Sequence, residues 1–286
     1  MQRITRRQGD RLGQSYIIHA IMARITGKEM IRLHCFPFEE HSRIPIRRGS
    51  RRLRSTAGAG CANKISRSIR LIKEGFFMEF KDAMKQRRAI NFFDPTKDVT
   101  PAQLREIIET AALAPSGFNL QPWNLIVLRD KEKKEKLRKV AWDQPKITDA
   151  PVVLIVLGDR EGFKQGNAGF EKGFAESVKA GSMKQEQYDW FINAAISLYG
   201  VSPERNLAFA CKNAGFFAMS LMLAAKDAGL DSHPMDGFDI DGVRKAFNIS
   251  EQYWIPLLLA IGHFDKTKTL SPAKWRKSYD EIVVSF

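Results

Sequence analysis

The chain is poor in cysteine. It has three cysteines among 286 residues, at positions 35, 61 and 211, and no CxxC pair or Cys/His cluster at metal-ligand spacing. This rules out a disulfide-stabilised secreted scaffold and a zinc finger, and it is typical of a reducing compartment. Cys211 lies among apolar residues and is predicted to be a small core side chain rather than a nucleophile.

Motifs for targeting and for side-chain catalysis are also missing. No apolar run reaches the roughly 18 residues of a membrane-spanning helix, and no apolar h-region follows Met1, so we expect a cytoplasmic protein. There is no GxGxxG, Walker, HExxH or GxSxG motif, and the five histidines are scattered without a paired nucleophile. If the chain is an enzyme, we expect a cofactor to supply the difficult chemistry.

The positive charge is unevenly distributed. The net charge is +14, but residues 1–77 carry 17 of the 46 Lys and Arg residues and only 5 of the 32 acidic ones. The remaining 29 basic and 27 acidic residues make residues 78–286 nearly neutral. The basic character therefore belongs to the N-terminal segment and does not indicate a nucleic-acid partner for the body of the chain.

Three interpretations of residues 1–77 are open: a disordered nucleic-acid-binding arm, an organelle transit peptide, or sequence upstream of the native start. We favour the third. Lys73-Glu74-Gly75 can be encoded AAG-GAG-GGN, which contains the bacterial ribosome-binding sequence AAGGAGG, and Met78 follows after two Phe codons. We therefore expect residues 1–77 to be a disordered or non-native extension without a site, and codons at 73–75 that lack this sequence would refute the hypothesis.

From Met78 onward the sequence predicts regular elements. We predict a short helix ending near Arg88, a helix capped by Thr100 with Pro101 and Gln103, and a charged helix over 130–139. Further helices are expected over 203–228, ended by Gly229, and over 240–247, capped by Asp239. Strands are predicted at 123–128, 151–157, 230–234 and 254–262, with a further possible strand at 282–284. The 203–228 helix is apolar on almost all sides, so we expect a partner subunit to cover part of it.

The stretch Ala111–Asn124, A-A-L-A-P-S-G-F-N-L-Q-P-W-N, is the most informative loop. It leaves an apolar helix, presents two side-chain amides at Asn119 and Gln121, and enters an apolar strand. Uncharged amides in such a loop suit a heteroaromatic ring better than a metal ion, although taken alone it could be a simple connector. Separate basic positions at Arg87-Arg88, Lys146, Lys274 and Arg276 could each be a solvated surface charge, but together with this loop they could bind a phosphorylated heteroaromatic cofactor.

Four motifs together resemble the FMN-dependent NAD(P)H nitroreductase family, most of all its small oxygen-insensitive bacterial members. They are Q-R-R-A-I-N-F-F (86–93), A-P-S-G-F-N-L-Q-P-W (114–123), G-L-D-S-H-P-M-D-G-F-D (229–239) and K-W-R (274–276). The second and third are specific, and the first and last would be weak alone. The resemblance covers residues 78–286 and none of residues 1–77.

The resemblance implies an α+β nitroreductase-like fold, with a central mixed β-sheet flanked by helices and FMN at a homodimer interface. It implies an oxidoreductase that transfers hydride from NAD(P)H to a nitroaromatic or quinone-type acceptor in a ping-pong cycle. The expected partners are a second copy of the chain and a small-molecule electron acceptor, with no nucleic acid and no membrane. Alternatives are flavin or ene reduction on the same scaffold, a non-catalytic FMN-binding protein, and a nucleic-acid binder that acts through residues 1–77.

The resemblance also implies roles for residues. Arg87, Arg88, Lys274 and Arg276 would hold the phosphate and ribityl part of FMN, and Lys146 would stabilise the reduced ring from its N1/O2 edge. Asp236 and Gly237 would tune the ring through a backbone N–H directed at N5. The remaining cofactor contacts would come from Ala89, Asn91, Pro115, Ser116, Gly117, Asn119, Gln121, Asp143, Pro234 and Met235.

Within this set, Ser116, Gly117 and Asn119 would come from the partner subunit. Three positions depart from the family pattern: Ala89 replaces the usual Ser, Asn91 replaces Arg or Lys, and Asp143 replaces a frequent Asn. We expect these changes to affect FMN affinity and redox potential rather than FMN binding itself. The aromatic residues between 163 and 191 would cover the substrate, with Tyr188, Trp190 and Phe191 as possible stacking residues, although core packing is an alternative for each.

Overall fold

The computed structural model describes residues 78–285 together with the strands at 16–25 and 28–37. The chain divides into two compact units, residues 1–70 and 71–286. In the first unit, β1 (Tyr16–Ile25) pairs antiparallel with β2 (Lys28–Pro37). The expectation that residues 1–77 are a disordered or non-native extension without a site stays a prediction. The hypothesis that translation starts at Met78 concerns residues 1–77, which lie largely outside the residues that the structure describes, and it stays a prediction.

The second unit is built on a four-stranded sheet in the order β3-β4-β6-β5. Its strands are β3 (Trp123–Leu128), β4 (Val152–Asp159), β5 (Asp231–Met235) and β6 (Tyr253–Gly262). All three pairings are antiparallel. The family resemblance implied a mixed sheet, whereas parallel pairing in the described body is limited to a single bridge between Ala89 and Ser232.

Strand β4 lies at the centre of the core, since all eight of its residues are buried. Alternate residues of β4 enter two different apolar clusters, one with Val153, Ile155 and Leu157 and the other with Val152, Leu154 and Val156. This confirms the prediction that the continuous apolar run is a strand covered on both faces.

Helices cover both faces of the sheet. In chain order they are α1 (Phe80–Gln86), α2 (Pro101–Ala111), α3 (Lys131–Lys139), α4 (Lys146–Asp149), α5 (Ala168–Lys179), α6 (Tyr188–Tyr199), α7 (Pro203–Asp227), α8 (Ile240–Phe247) and α9 (Tyr279–Ile282). The second apolar cluster joins α2 and α7 to the sheet, whereas Val243 of α8 and Ile147 of α4 belong to the first.

Local sequence signals account for several helix ends. Thr100 and Gln103 form the predicted capping box, in which the Thr100 hydroxyl accepts from the Gln103 N–H and the Gln103 side chain accepts from the Thr100 N–H. Gly229 follows α7 with a φ of +74°, as expected of a C-terminal glycine. The predicted strand at 282–284 is wrong: the chain forms the short helix α9 there and then leaves regular structure. The Ser278–Glu281 capping box favours a helical turn over an extended segment.

Helix α7 is the longest helix described. By length and composition alone it could cross a membrane, and half of its most apolar window is buried inside the protein. One face packs on the sheet through residues such as Ala214, Phe217 and Leu221. The opposite side leaves Phe216 exposed, so this chain alone does not cover the helix completely.

The segment after α1 is attached to the free edge of β5. The Ile90 N–H donates to the Ser232 carbonyl at 3.2 Å, and His233 Nδ1 lies 2.7 Å from the Ile90 carbonyl. A carbonyl only accepts hydrogen bonds, so Nδ1 of His233 must carry the proton and donate. These contacts hold Arg87 and Arg88, which directly precede Ala89, beside β5.

The His233 contact predicts a pH dependence of folding stability. Burial lowers the pKa of the imidazole, the charge of Lys146 lowers it further, and the bond to Ile90 opposes them. The folded state therefore favours neutral His233. Its contribution to the free energy of unfolding is complete above the ordinary histidine pKa of about 6.5 and is lost as the pH falls through the lowered value.

Substitution of His233 by Asn should remove this pH dependence, because Asn can still donate to Ile90 but does not titrate. Urea denaturation at several pH values between about 5 and 8 would measure it. His263→Asn is the matched control, because the backbone carbonyl of His263 accepts from Asp94. An unchanged loss of stability at low pH in His233→Asn would contradict the prediction.

Candidate functional site

Three guanidinium groups gather where α1 meets the C-terminal tail. Burial lowers the pKa of the Arg87 guanidinium, and the charges of Arg276 and Arg88 lower it further. Arg88 donates to the Ser271 carbonyl at 2.6 Å, which brings the tail next to α1. Among residues 78–285, no carboxylate forms an ion pair with any of these three arginines. The arrangement is a concentration of positive charge that an anion such as phosphate would neutralise.

The tail itself is exposed and has no regular secondary structure around the K-W-R motif. Arg276 donates to the carbonyls of Trp275 and Lys274, at 2.8 and 3.3 Å. The charge of Arg276 acts on Arg87, which indicates that the two guanidinium groups lie near each other. Lys274 is linked to the cluster only through the Arg276 bond to its carbonyl. Ala89 and Asn91 are exposed in the same segment, and Ala89 makes the bridge to Ser232.

Lys146 opens the short helix α4 and is half-buried. Burial lowers the pKa of its amine. The partner of its Nζ atom is the neutral side chain of Gln144, at 3.0 Å from Oε1. No carboxylate pairs with Lys146 in the part of the chain described from residue 78 onward. Its charge is therefore available to a negatively charged group.

The side chain of Gln144 connects Lys146 to the loop after β5. Its Nε2 donates to the Gly237 carbonyl at 2.8 Å and to the Ala141 carbonyl at 3.1 Å. The Phe238 N–H donates to the Asp236 carbonyl at 3.0 Å and closes a tight turn around Gly237. Within residues 78–285 the N–H groups of Asp236 and Gly237 have no protein acceptor. These two backbone N–H groups near Lys146 are thus without an acceptor among the described residues.

The loop before Lys146 is conformationally strained. Trp142 and Asp143 have φ angles of +52° and +51°, a region that costs a non-glycine residue about 1–2 kcal/mol. The Trp142 ring lies against Gly237, where a Cβ atom would come within 2.7 Å of the ring. A side chain at position 237 would therefore displace Trp142, whose own side chain is 76% exposed.

Asp143 is one of the three positions expected to affect FMN affinity and redox potential. In the structure its carboxylate pairs with Arg138, at 2.7 Å from Nε, and this partner offsets its charge. Pro234 and Met235 end β5 beside this loop. The Met235 side chain lies in the apolar core and is 3% exposed, so only its backbone is available to line a cofactor.

The amide loop folds against α6 and α7. The Ser116 hydroxyl accepts from the Gln121 N–H at 2.9 Å, and the Gln121 side chain donates weakly to Asn119 at 3.4 Å. Phe118, Asn119 and Gln121 all have φ angles near +50°, again rare for residues other than glycine. Such strain persists only where the surroundings enforce it, and it is concentrated at functional loops.

A buried amide on α7 fixes the start of this loop. Asn213 is fully buried, accepts from the Gly117 N–H at 3.1 Å and donates to the Phe209 carbonyl at 2.8 Å. Gly117 also lies against Tyr199, whose hydroxyl occupies the space that a Cβ atom would need. Gly117 is thus required by packing, and Pro115, Asn119 and Gln121 remain exposed.

The predicted site residues form two separate groups in one chain. The first surrounds β5 and includes the arginine cluster, Lys146 and the Asp236–Gly237 turn. The second is the amide loop from Pro115 to Gln121. Within residues 78–285 no hydrogen bond, ion pair or aromatic contact joins the second group to the first.

Most of the aromatic residues expected to cover a substrate instead form a third apolar cluster. Phe163, Phe170, Phe174 and Phe191 are buried there. Tyr188 packs against this cluster, and its hydroxyl donates to Glu171. Core packing is therefore the observed role of these residues. Trp190 is 59% exposed and remains available for other contacts.

Sequence reasoning missed Gln144, Trp142 and Asn213. Gln144 lies two residues before Lys146 in D-Q-P-K, but a lone glutamine carries no signal of its own. Asn213 was detectable in principle, because it is a polar residue in the most apolar helix of the chain, and buried polar groups need partners.

Comparisons with known proteins show the family of the chain. The Nitroreductase family model matches residues 84–263. MhqN of Bacillus subtilis, provisionally named an NAD(P)H nitroreductase, is 34% identical over 209 residues, which cover 72% of this chain and 98% of MhqN. An NADH dehydrogenase of Thermus thermophilus is 34% identical over 187 residues, which cover 65% of this chain and 87% of that protein.

Two solved structures are similar in fold. The provisionally named nitroreductase ydfN of Bacillus subtilis has a TM-score of 0.66 and 32% identity, covering 72% of this chain and 98% of ydfN. A provisionally named nitroreductase of Exiguobacterium sibiricum, solved in complex with FMN, has a TM-score of 0.63 and 28% identity, covering 72% of this chain and 96% of that one. These matches confirm the α+β nitroreductase-like fold, and the chain belongs to the nitroreductase family.

Proposed function

We propose that this nitroreductase is an FMN-dependent oxidoreductase that passes hydride from NAD(P)H to a nitroaromatic or quinone-type acceptor in a ping-pong cycle. The observation that carries the proposal is the arginine cluster, Arg87, Arg88 and Arg276, beside a half-buried Lys146 and the free N–H groups of Asp236 and Gly237. The FMN complex of the Exiguobacterium relative supports the choice of cofactor.

The residues present fit FMN. A phosphate would neutralise the three guanidinium groups, which lack carboxylate partners among residues 78–285. Lys146, Asp236 and Gly237 offer one cation and two backbone donors to the polar edge of a ring. When bound, FMN supplies a ring that accepts hydride from NAD(P)H and returns reducing equivalents to the acceptor.

The chain's own residues position and tune that ring. Lys146 is partly desolvated and has a neutral partner, so its charge would favour negative charge that develops nearby. Fixed backbone donors need no rearrangement when that charge appears. The proposed reaction needs no side chain as a general acid or base, which agrees with the absence of a nucleophile–base pair in the sequence.

We also propose that the protein is a cytoplasmic homodimer in which each site takes residues from both subunits. The amide loop and the β5 group are separate in one chain, and Phe216 and the tail residues Trp275, Tyr279 and Val284 are exposed. A second subunit would cover these apolar surfaces and bring its Asn119 to the first subunit's Lys146. The relatives give no indication of a nucleic-acid or membrane partner.

Cofactor binding and turnover test the function. The full chain loaded with FMN should be yellow and should oxidise NADH or NADPH only when menadione or a nitrofuran is added. Arg87→Gln should weaken FMN binding by roughly 10- to 100-fold and leave riboflavin binding unchanged, because a charge-assisted hydrogen bond contributes about 1.5–3 kcal/mol and riboflavin has no phosphate.

Arg105→Gln is the matched control, since Arg105 is exposed on α2 and pairs with Glu109. Fluorescence quenching of each flavin would give the dissociation constants. A colourless protein that cannot be loaded with FMN would contradict the proposed function. Equal losses for FMN and riboflavin in Arg87→Gln would contradict the phosphate role of Arg87.

Mixed dimers test whether the site is shared. Lys146→Ala should slow reduction of the cofactor by NAD(P)H with little loss of fold, and Asn119→Ala should also impair activity. In a shared site, a dimer of one Lys146→Ala and one Asn119→Ala subunit has one intact site and one with both changes. Co-expression with two affinity tags should therefore recover about half of the wild-type activity. If the site lies in a single chain, both sites of the mixed dimer are damaged and no activity returns.

A further inference from the structure

The side chain of Gln144 makes three hydrogen bonds to different parts of the proposed site. It donates to the carbonyls of Ala141 and Gly237 and accepts from Lys146 Nζ, at 3.1, 2.8 and 3.0 Å. The orientation of its amide is fixed by chemistry, because a carbonyl cannot donate and an ammonium cannot accept. Both hydrogens of the amide nitrogen are therefore used.

One of these three bonds joins residues that are far apart in the sequence. Ala141 and Lys146 lie on either side of Gln144, whereas Gly237 belongs to the turn after β5, 93 positions away. The contact joins the strained Trp142-Asp143 segment to the Asp236–Gly237 turn. Gln144 is thus the direct side-chain connection between the amine of Lys146 and the turn that presents the free backbone donors.

We propose that Gln144 is a positioning residue, which sets the direction of the Lys146 amine and the orientation of the Gly237 peptide together. Its carbonyl oxygen accepts a hydrogen bond from Lys146 Nζ and leaves the positive charge of the amine in place. A carboxylate at the same position would neutralise that charge. The amide nitrogen of Gln144 donates to the Gly237 carbonyl, so that the adjoining N–H groups keep a fixed direction. The consequence for turnover rests on the proposed function, but the linkage itself belongs to the protein without cofactor.

Two substitutions separate the two halves of this role. Gln144→Met has a similar length and removes all three bonds. Gln144→Glu still accepts from Lys146 and cannot donate to Gly237. Gln144→Met therefore tests the placement of both Lys146 and Gly237, whereas Gln144→Glu tests the placement of Gly237 with the Lys146 bond kept.

The first measurement uses the full chain without FMN. Labelling by acetic anhydride, followed by mass spectrometry, reports the availability of the Lys146 amine. Gln144→Met should label Lys146 about tenfold faster than the wild type, since a hydrogen bond to a charged group of roughly 1.5 kcal/mol corresponds to that factor. In Gln144→Glu, labelling should stay at or below the wild-type rate.

Hydrogen exchange of the peptide that contains Gly237 and Phe238 reports the turn. Exchange should rise in both variants, because both lose the donor to the Gly237 carbonyl. Gln252→Met is the matched control: Gln252 also donates through its side chain, to Asp159 at 2.9 Å, and it has no bond to Lys146 or Gly237. It should leave both readouts at wild-type values.

Loading the variants with FMN gives the functional readout. The rate of cofactor reduction by NAD(P)H should fall about tenfold or more in both variants, with the apparent affinity for NAD(P)H changed by less than about twofold, since placement rather than binding is lost. Wild-type labelling of Lys146 in Gln144→Met, or wild-type exchange of the Gly237 turn in both variants, would overturn the proposal. Changed labelling and exchange in a protein that binds no FMN would support the linkage and contradict the proposed function instead.

Discussion

The complete burial of β4 constrains the arrangement of the rest of residues 78–285. A strand whose eight residues are all buried requires apolar partners on both faces of the sheet. Helices α2 and α7 cover one face, and α4, α8 and the segment around Ile90 and Phe93 contribute to the other. The polar groups of the proposed site are therefore excluded from the centre of the sheet. They collect at its β5 edge, where the segment after α1 adds its own backbone bonds.

At that edge, hydrogen bonds add to the apolar packing of Ile90, Ile147 and Met235 and fix the polar segments. His233 and Ser232 hold Ile90, Gln144 holds Gly237 and Lys146, and Arg138 holds Asp143. Each bond fixes a segment that carries a cation or a backbone donor. The backbones of Trp142 and Asp143 are in the left-handed region, so this order is kept at a local conformational cost. Such a cost is common where groups are arranged in advance for a ligand.

The sequence predicted those elements of the body that had a local cause, whereas helices α5 and α6 were not predicted. The Thr100 capping box, the continuous apolar run of β4, the C-terminal Gly229 and the bounds of β3 all follow from neighbouring residues. The family motifs also identified the arginine cluster, Lys146 and the turn at Gly237. The all-antiparallel order of the sheet and the helical turn at Tyr279–Ile282 were not predicted, because strand order and short terminal elements depend on tertiary contacts.

The contacts between the motifs could not be predicted from the sequence. Gln144 has no pattern that distinguishes it from a surface glutamine, and its importance follows only from its contact with Gly237, 93 positions away. Asp143 illustrates the same limit: as a residue type it predicts repulsion of a reduced cofactor, whereas its ion pair with Arg138 offsets that charge. In both cases the chemical role is set by the neighbouring side chain rather than by the residue itself.

The separation of the amide loop from the cationic group has a physical explanation in the way the loop is held. Asn213 binds the Gly117 N–H from within α7, and Phe118 packs on Phe191 and Tyr199, so the loop is rigidly attached to α6 and α7. The amides of Asn119 and Gln121 are exposed and, among the described residues, have no hydrogen bond to Lys146 of the same chain. A strained, firmly held and exposed loop is compatible with the proposal that its amides meet the cations of a second copy. The same helix that anchors the loop, α7, leaves Phe216 exposed, and the proposed second subunit would cover it.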